Sequence, residues 1–428
     1  MGNPLKSRLL IIAASARPWI QSAEIAGFYV TAFDFFSDWD SVGVKSQKTE
    51  SSSRQTNPTL KREVVRLERF EDLLEQRYLD LISSCDYAIL AGGMENQPRL
   101  IEALASRIPI LGPSALQHDR MADTVKILSW LKNLGYQVPE STLRLGPNVC
   151  LDKWLRKAFR SSGGLGIRQA IEDDFSSQSS LYYYQKKISG ESFSGFFISL
   201  PQGESVVSTA LVGWTRQLVN EQWCGAGEFR YCGSIGPLSI NESLKYKIEA
   251  IGQAVAEEYG VIGAWGIDFL VDGNDIRPVD FNVRLTASME LFEVGMKEAE
   301  HRSRSVVEQH ALACLGQLDL DQLRCSTDLT RLKSECCFGK SIVFFDRLLP
   351  LEVTKSVHQF LIFQSRQLSE LEIGEFGVAD IPNQGEWVRP GQPFCTVLAR
   401  EEPHRVAEVL RSATSKVREA FQRPGLAQ

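Results

Sequence analysis

Asp268, Asp280, Asn282 and Arg284 are the residues of this chain best equipped for chemistry, and they fall in one short stretch, Gly263 to Ser288 (GAWGIDFLVDGNDIRPVDFNVRLTAS). Two carboxylates and an amide offer hard oxygen ligands of the kind a magnesium ion takes. An arginine beside them presents a planar fork to a phosphoryl or carboxylate group. A second set lies upstream. Ser161, Ser162, Gly163, Gly164, Leu165 and Gly166 suit a loop whose backbone N–H groups wrap phosphate oxygens, because glycine tolerates close approach and unusual dihedrals. Lys157, shortly before it, supplies a point charge for the same phosphates. Each part alone has a plainer reading, a solvated hairpin face for the acids and an ordinary turn for the glycines. The acids sit among apolar residues, however, where an unpaired carboxylate is costly, and a divalent cation is the simplest partner.

The flanking sequence says what must position these groups. Trp265 to Val271 and Ile276 to Phe281 are apolar runs separated by Asp272-Gly273-Asn274-Asp275, a hairpin pattern. Side chains two apart share a strand face, so Asp280, Asn282 and Arg284 point one way, with Asp268 near Asp280 on the partner strand. Trp154 to Ala158 reads as the strand carrying Lys157, and Leu181 to Ile188 (LYYYQKKI) as another. Ser205 to Val212 is strand-like, and Glu242 to Glu258 is an amphipathic helix packed against the hairpin.

Further upstream, Leu9 to Ala14, Tyr29 to Phe33, Val64 to Leu67, Asp86 to Leu90 and Ile108 to Leu111 are short apolar runs alternating with helical patterns, which indicates a doubly wound α/β domain. Its ligand edge would include Ser15, Asp34 and the loop Gly92 to Asn96. Lys45 to Thr59 reads as a loop, and Asp119 to Leu134 as one helix ended by Gly135. A helix spans Ser303 to Leu315; after it, Gly339 to Phe345 and Phe394 to Ala399 are strand-like, and a helix closes the pattern from Arg405 to Phe421.

Composition narrows the class. With 428 residues, 43% hydrophobic and 23% charged, several globular domains are expected. A net charge of -6 argues against a nucleic-acid partner, and no apolar run approaches the ~20 residues that span a bilayer, so a membrane partner is not expected either. Nine cysteines without CxxC spacing fit reduced thiols in the cytoplasm, and five histidines without ligand spacing argue against zinc. Cys232 has no histidine near it in sequence and reads as a structural thiol.

The order of parts is more specific than any one of them: lysine strand, glycine loop, a strand ending Gln185-Lys186-Lys187-Ile188-Ser189-Gly190-Glu191, then the Asp268/Asp280/Asn282 hairpin. This order resembles the ATP-grasp superfamily over Arg120 to Glu293, preceded at Leu9 to Gly112 by what looks like its usual α/β domain. Ser15-Ala16-Arg17, Gly213 to Leu218 (GWTRQL), Phe229 to Gly236 (FRYCGSIG) and the ending DFNVRLTAS are similar to uncharacterised bacterial ATP-grasp proteins accompanying tetrahydromethanopterin- or methanofuran-type C1 pathways. The resemblance implies a mixed α/β and α+β chain. A Rossmann-like preATP-grasp domain (1–115) would precede a two-lobed ATP-grasp fold (116–320, small lobe about 145–200, large lobe about 201–320) and a β-rich C-terminal segment with a terminal helix (321–428).

It also implies roles. Lys157, with Arg120 as a second basic contact, would touch ATP phosphates, and Ser162, Gly163, Gly164 and Gly166 would form the phosphate loop. Gln185, Lys187 and Ile188 would lie at the adenine hinge, and Glu191 would hold the ribose. Asp268, Asp280 and Asn282 would hold Mg2+ or Mn2+, and Arg284, with Lys157, would act on the phosphoryl group in flight. Arg216 and Arg230 are candidates for an anionic substrate, with surface ion pairing as the alternative. The chain departs from the family pattern at Ala158 (commonly proline), Gln185 and Asp280 (more often glutamate), and Val283 and Leu285 (commonly proline and tyrosine). The implied activity is ADP-forming ligation: a carboxylate is activated as an acyl phosphate and attacked by an amine. A silent ATP-binding scaffold and a biotin-carboxylase-like enzyme are the alternatives, the latter lacking a biotin-carrier motif. A homodimer is compatible with this reading.

Overall fold

In a computed structural model, residues 7–42, 62–175, 180–203, 207–293, 304–326, 336–345 and 350–422 are described. The loop expected at Lys45 to Thr59 lies outside them. The first apolar runs become strands β1 (Arg8–Ala13), β2 (Tyr29–Asp34), β3 (Arg62–Arg66) and β4 (Tyr87–Leu90), all parallel, in the order β3-β2-β1-β4. Both faces of β1 are covered, which is why its sequence is continuously apolar rather than alternating. The run Ile108 to Leu111 joins this sheet only through a bridge between Ala88 and Ile110, not as a full strand. Pro109 has no N–H to donate, and the contact consists of Ala88 N–H to Pro109 C=O and Leu111 N–H to Ala88 C=O.

The helix expected over Asp119 to Leu134 is two helices, Ala115–Met121 and Thr124–Asn133. Asp123 is the cause: its carboxylate accepts the Lys126 N–H at 3.0 Å and starts the second helix. Four short strands follow as a separate antiparallel sheet, β5 (Ser141–Thr142), β6 (Trp154–Ala158), β7 (Arg168–Gln169) and β8 (Tyr182–Lys186), ordered β5-β8-β6-β7.

The largest sheet has eight strands. It is built from β9 (Glu191–Pro201), β10 (Val207–Val219), β11 (Tyr231–Gly236), β12 (Gly263–Asp272) and β13 (Asp275–Asn282), continued by β14 (Cys337–Phe344), β16 (Phe376–Ala379) and β18 (Pro393–Glu401). Its order is β13-β12-β9-β10-β11-β14-β18-β16, so the C-terminal strands extend one continuous sheet. A two-stranded pair, β15 (Leu351–Glu352) and β17 (Trp387–Val388), stands apart from it. Helix Glu242–Tyr259 buries Leu244, Ile248, Ile251 and Val255 against one end of the sheet, where Phe197 and Trp265 stack at 4.9 Å. Helix Val406–Gln422 covers the other end with Val406, Leu410, Val417 and Phe421. The sheets meet around one cleft. A bridge from Ala91 to Leu285 ties the loop after β4 to the chain leaving β13.

Candidate functional site

The hairpin forms as the alternation requires. Asp268 of β12 stands opposite Asp280 of β13, and the turn closes at Asp272 and Asp275. The register then shifts, because Phe269 pairs with Pro278 and Val279 is left as an extra residue. Proline cannot donate to the ladder, so a bulge forms there. Its consequence is functional: the carbonyl of Val279 accepts a hydrogen bond from Lys157 Nζ at 3.2 Å.

Around Asp268 the polar groups converge. Gln217 Nε2 donates to its Oδ1 at 3.0 Å and Asn282 Nδ2 to its Oδ2 at 3.3 Å. Burial, together with the charge of Asp280, pushes the Asp268 carboxyl up to about 6. Arg284 donates to Asn282 Oδ1 at 3.4 Å and pairs with Glu95 at 2.6 Å, so the loop after β4 supplies the carboxylate that fixes it. Lys157 also donates to Gln185 Oε1 at 3.2 Å. Burial opposes its charge, but Tyr183, Asp280 and Asp268 outweigh that and hold its pKa above the ordinary lysine value.

Glycine residues close the loop over these groups. Gly163, Gly164 and Gly166 have φ of 62°, 78° and 77°, which side chains rarely adopt. Tyr231 N–H donates to Gly163 C=O at 3.1 Å, docking the loop onto the chain entering β11. A Cβ on Gly164 would lie 2.0 Å from Phe229 O, so only glycine permits that approach.

The structure brings Lys157, Ser162, Gly163, Gly164, Gln185, Asp268, Asp280, Asn282 and Arg284 to one cleft. Other expected residues lie outside its lining. Arg120 is a correction: its guanidinium turns to Glu258 and lies 4.9 Å over the Tyr259 ring, at the end of helix Glu242–Tyr259. Glu258 carries both acceptors of the Arg120 guanidinium, its backbone carbonyl and its carboxylate, so the neighbouring helix holds that side chain. Gly166 faces Ala158 and turns the loop back instead of lining the cleft. Lys187 and Glu191 are exposed and Ile188 half-buried where the chain passes from β8 to β9, beyond the cleft lining. Arg216 and Arg230 also miss it: on β10 Gln217 faces the cleft, so the strand period turns Arg216 away, and Arg230, just before β11, lies between the cleft residues Phe229 and Tyr231 without lining it. Arg230 stacks instead over Phe344 at 5.1 Å.

Several cleft residues escaped sequence reasoning: Gln217, Tyr231, Asp38, Lys340 and Asp380. Lys340 carried a signal, a lone lysine inside the apolar run GKSIVFF. Gln217 could have been found from strand alternation through TRQL. Of the expected ligand edge, Ser15, Gly92 and Gly93 line the cleft.

An ATP-grasp domain model matches residues 121–288, the span holding every one of the converging groups from Lys157 to Arg284. The chain carries an ATP-grasp domain. ATP-grasp ligases use ATP with Mg2+ and form ADP. An uncharacterized protein of Methanocaldococcus jannaschii is 22% identical over 420 residues, covering 94% of this chain and 90% of that one. Among solved structures, N5-carboxyaminoimidazole ribonucleotide synthetase of Thermotoga maritima aligns with a TM-score of 0.60 at 15% identity, over 96% of this chain and 98% of that one. An L-amino acid ligase of Bacillus licheniformis aligns at 0.62 and 13%, over 96% and 97%. A biotin carboxylase of Campylobacter jejuni aligns at 0.62 and 14%, over 99% and 97%. These likenesses establish that the ATP-grasp domain sits in the same overall fold, with a parallel-sheet domain before it.

The domain's acidic pair fits a magnesium ion. Asp268 and Asp280 face one another, and Asn282 stands beside them with its amide N–H on Asp268 and its oxygen on Arg284. Two carboxylates crowded together out of water are unfavourable until a cation joins them, and magnesium needs few protein ligands when phosphate oxygens and waters complete its octahedron.

Proposed function

We propose that this protein is an ATP- and magnesium-dependent ligase that activates a carboxylate as an acyl phosphate for attack by an amine, releasing ADP and phosphate. The observation that carries the reading is the convergence of Lys157, the loop Ser162 to Gly164, the Asp268/Asp280/Asn282 set and Arg284 on one cleft between the small and large sheets. A binding-only relic has no need of Arg284 and its Glu95 clamp. A setting in cofactor biosynthesis belongs to the same reading, supported by the motif likeness to C1-pathway proteins, as does a cytoplasmic location.

Phosphoryl transfer asks for positioning and charge neutralisation more than for covalent help. Lys157, held by Gln185 and the Val279 carbonyl, points its charge at bound phosphates. The backbone N–H groups of Ser162 to Gly164 wrap the terminal phosphates and keep water out. Asp268, Asp280 and Asn282 would hold magnesium, which when bound would neutralise phosphate charge. Arg284, oriented by Glu95, stabilises the charge on the transferring group and leaves the carboxylate substrate in line.

The test is incubation of the purified chain with Mg-ATP and a panel of carboxylates and amines, monitoring ADP. ADP release that needs both a carboxylate and an amine is expected. Mg-ATP binding with no turnover for any pair would favour a silent nucleotide-binding protein, and no Mg-ATP binding at all would refute the reading.

A further inference from the structure

Beyond the phosphate-binding end, the cleft continues to a floor made where three parts of the chain meet: the loop after β2, strands β14 and β18, and the residue following β16. Its charges do not balance. Asp34, Asp38, Asp40, Asp380 and Glu290 cluster there around two cations, Arg17 and Lys340.

Both cations are already engaged. Arg17 holds Asp380 at 2.6 Å and Glu290 at 2.7 Å, and Lys340 holds Glu290 at 2.6 Å. Asp380 further accepts from Thr396 at 2.6 Å, and Asp40 accepts the backbone N–H groups of Asp380 and Ile381 at 2.9 Å each. Asp38 is different. It is 7% exposed, lines the cleft, and its carboxylate has neither a hydrogen bond nor an ion pair among the described residues. Leaving a carboxylate buried without a partner destabilises a fold, so such a group points to something that arrives later. Phe36, Pro18 and Phe394 line the same floor and offer apolar surface for the body of that guest.

We infer that this floor seats the protonated amino group of the acceptor, with Asp38 as its counter-ion, and that the acceptor is a simple amine rather than an amino acid. The inference rests on the ligase reading and narrows its second substrate. A substrate carboxylate at this end finds both cations taken and meets an excess of negative charge, whereas an ammonium meets a carboxylate waiting for it. Burial and the neighbouring Asp380, Asp34 and Asp40 raise the Asp38 pKa well above the carboxylate range, and an arriving cation reverses that shift.

Binding of 2-phenylethylamine and pentylamine to the full chain tests this, against phenylalanine and norleucine, the same amines bearing a carboxylate. Calorimetry is run with and without Mg-ADP, so that the amine arm is read independently of nucleotide. The amines should bind at least about tenfold more tightly than the amino acids. Asp38→Asn should abolish that preference and leave Mg-ATP binding in place as proof of folding. Equal or tighter binding of the amino acids overturns the inference, as does Asp38→Asn binding amines like the parent chain. If no amine binds to protein that binds Mg-ATP, the inference falls while the nucleotide reading stands; if Mg-ATP fails to bind but the amines bind through Asp38, the reverse holds.

Discussion

Gly164→Ala is the perturbation that tests the phosphate loop most directly. The added methyl carbon would sit 2.0 Å from Phe229 O and 2.8 Å from Phe229 C, both backbone atoms that cannot rotate away. The φ of 78° adds about 1–2 kcal/mol for a residue with a side chain. Against these stands one tether, the Tyr231 N–H to Gly163 C=O hydrogen bond, worth about 1 kcal/mol. The loop should therefore undock, and Mg-ATP affinity should fall by roughly 10- to 100-fold as the docked population shrinks. Gly163→Ala is the matched control: its φ is 62°, but its Cβ meets nothing within 4 Å. It bears only the dihedral cost, so its loss should be about tenfold smaller. Isothermal calorimetry with Mg-ATP, or with a non-hydrolysable analogue, separates the two, and urea unfolding should show little change in either because a local loop can move alone. Equal affinities in the two variants, or parental affinity in Gly164→Ala, would refute the docked-loop reasoning.

Lys157→Met keeps the aliphatic stem and removes the charge, so Mg-ATP binding should weaken on the order of 10- to 100-fold; unchanged binding in a calorimetric titration would place the phosphates elsewhere. Asp280→Asn should relieve the repulsion that pushes Asp268 up and weaken magnesium binding, read as a higher Mg2+ concentration needed for half-maximal ADP formation. Arg120→Ala should leave Mg-ATP affinity within about twofold, since its partly exposed pair with Glu258 contributes ~0–1 kcal/mol to stability; a large affinity loss would return it to the site. His310 accepts the Ala264 N–H on Nδ1 at 2.8 Å and donates from Nε2 to Leu111 C=O at 2.9 Å, and burial pushes it down to about 4. Its folded pKa lies below the unfolded value of 6.5, so its contribution is complete above pH 6.5 and is lost as pH falls toward about 4, by about 3 kcal/mol in all. The urea midpoint of the parent chain minus that of His310→Gln, measured from pH 7.5 to 4.5, should shrink along that slope; the difference is the readout because Asp268, whose folded pKa of about 6 lies above its unfolded value, contributes to both midpoints with the opposite sign.

The end of the cleft proposed to bind nucleotide is legible in the sequence because its groups are local. Lys157 and the glycine loop are neighbours in sequence, and hairpin alternation alone places Asp268 against Asp280. The misreadings share a cause. The chemistry of Arg120, Arg216 and Arg230 is plain in the sequence, but their directions depend on the helix that offers Glu258 and on how β10 and the chain entering β11 meet the cleft. A basic residue beside a motif says little until the parity of its strand is known.

Local period and residue type thus determined the parallel first sheet, the hairpin with its paired acids, the lysine strand and the glycine loop, because each follows from contacts within a few residues. Tertiary structure decided the rest. Only folding brings Glu95 to Arg284 and Asp380 to Arg17 across long stretches of chain, and carries the C-terminal strands into the same sheet as the acidic hairpin. The same folding leaves Asp38 buried beside other acids, without a hydrogen bond or ion pair to its carboxylate among the described residues. Charge balance in a buried cleft is a sum over distant elements, and no stretch of sequence contains it.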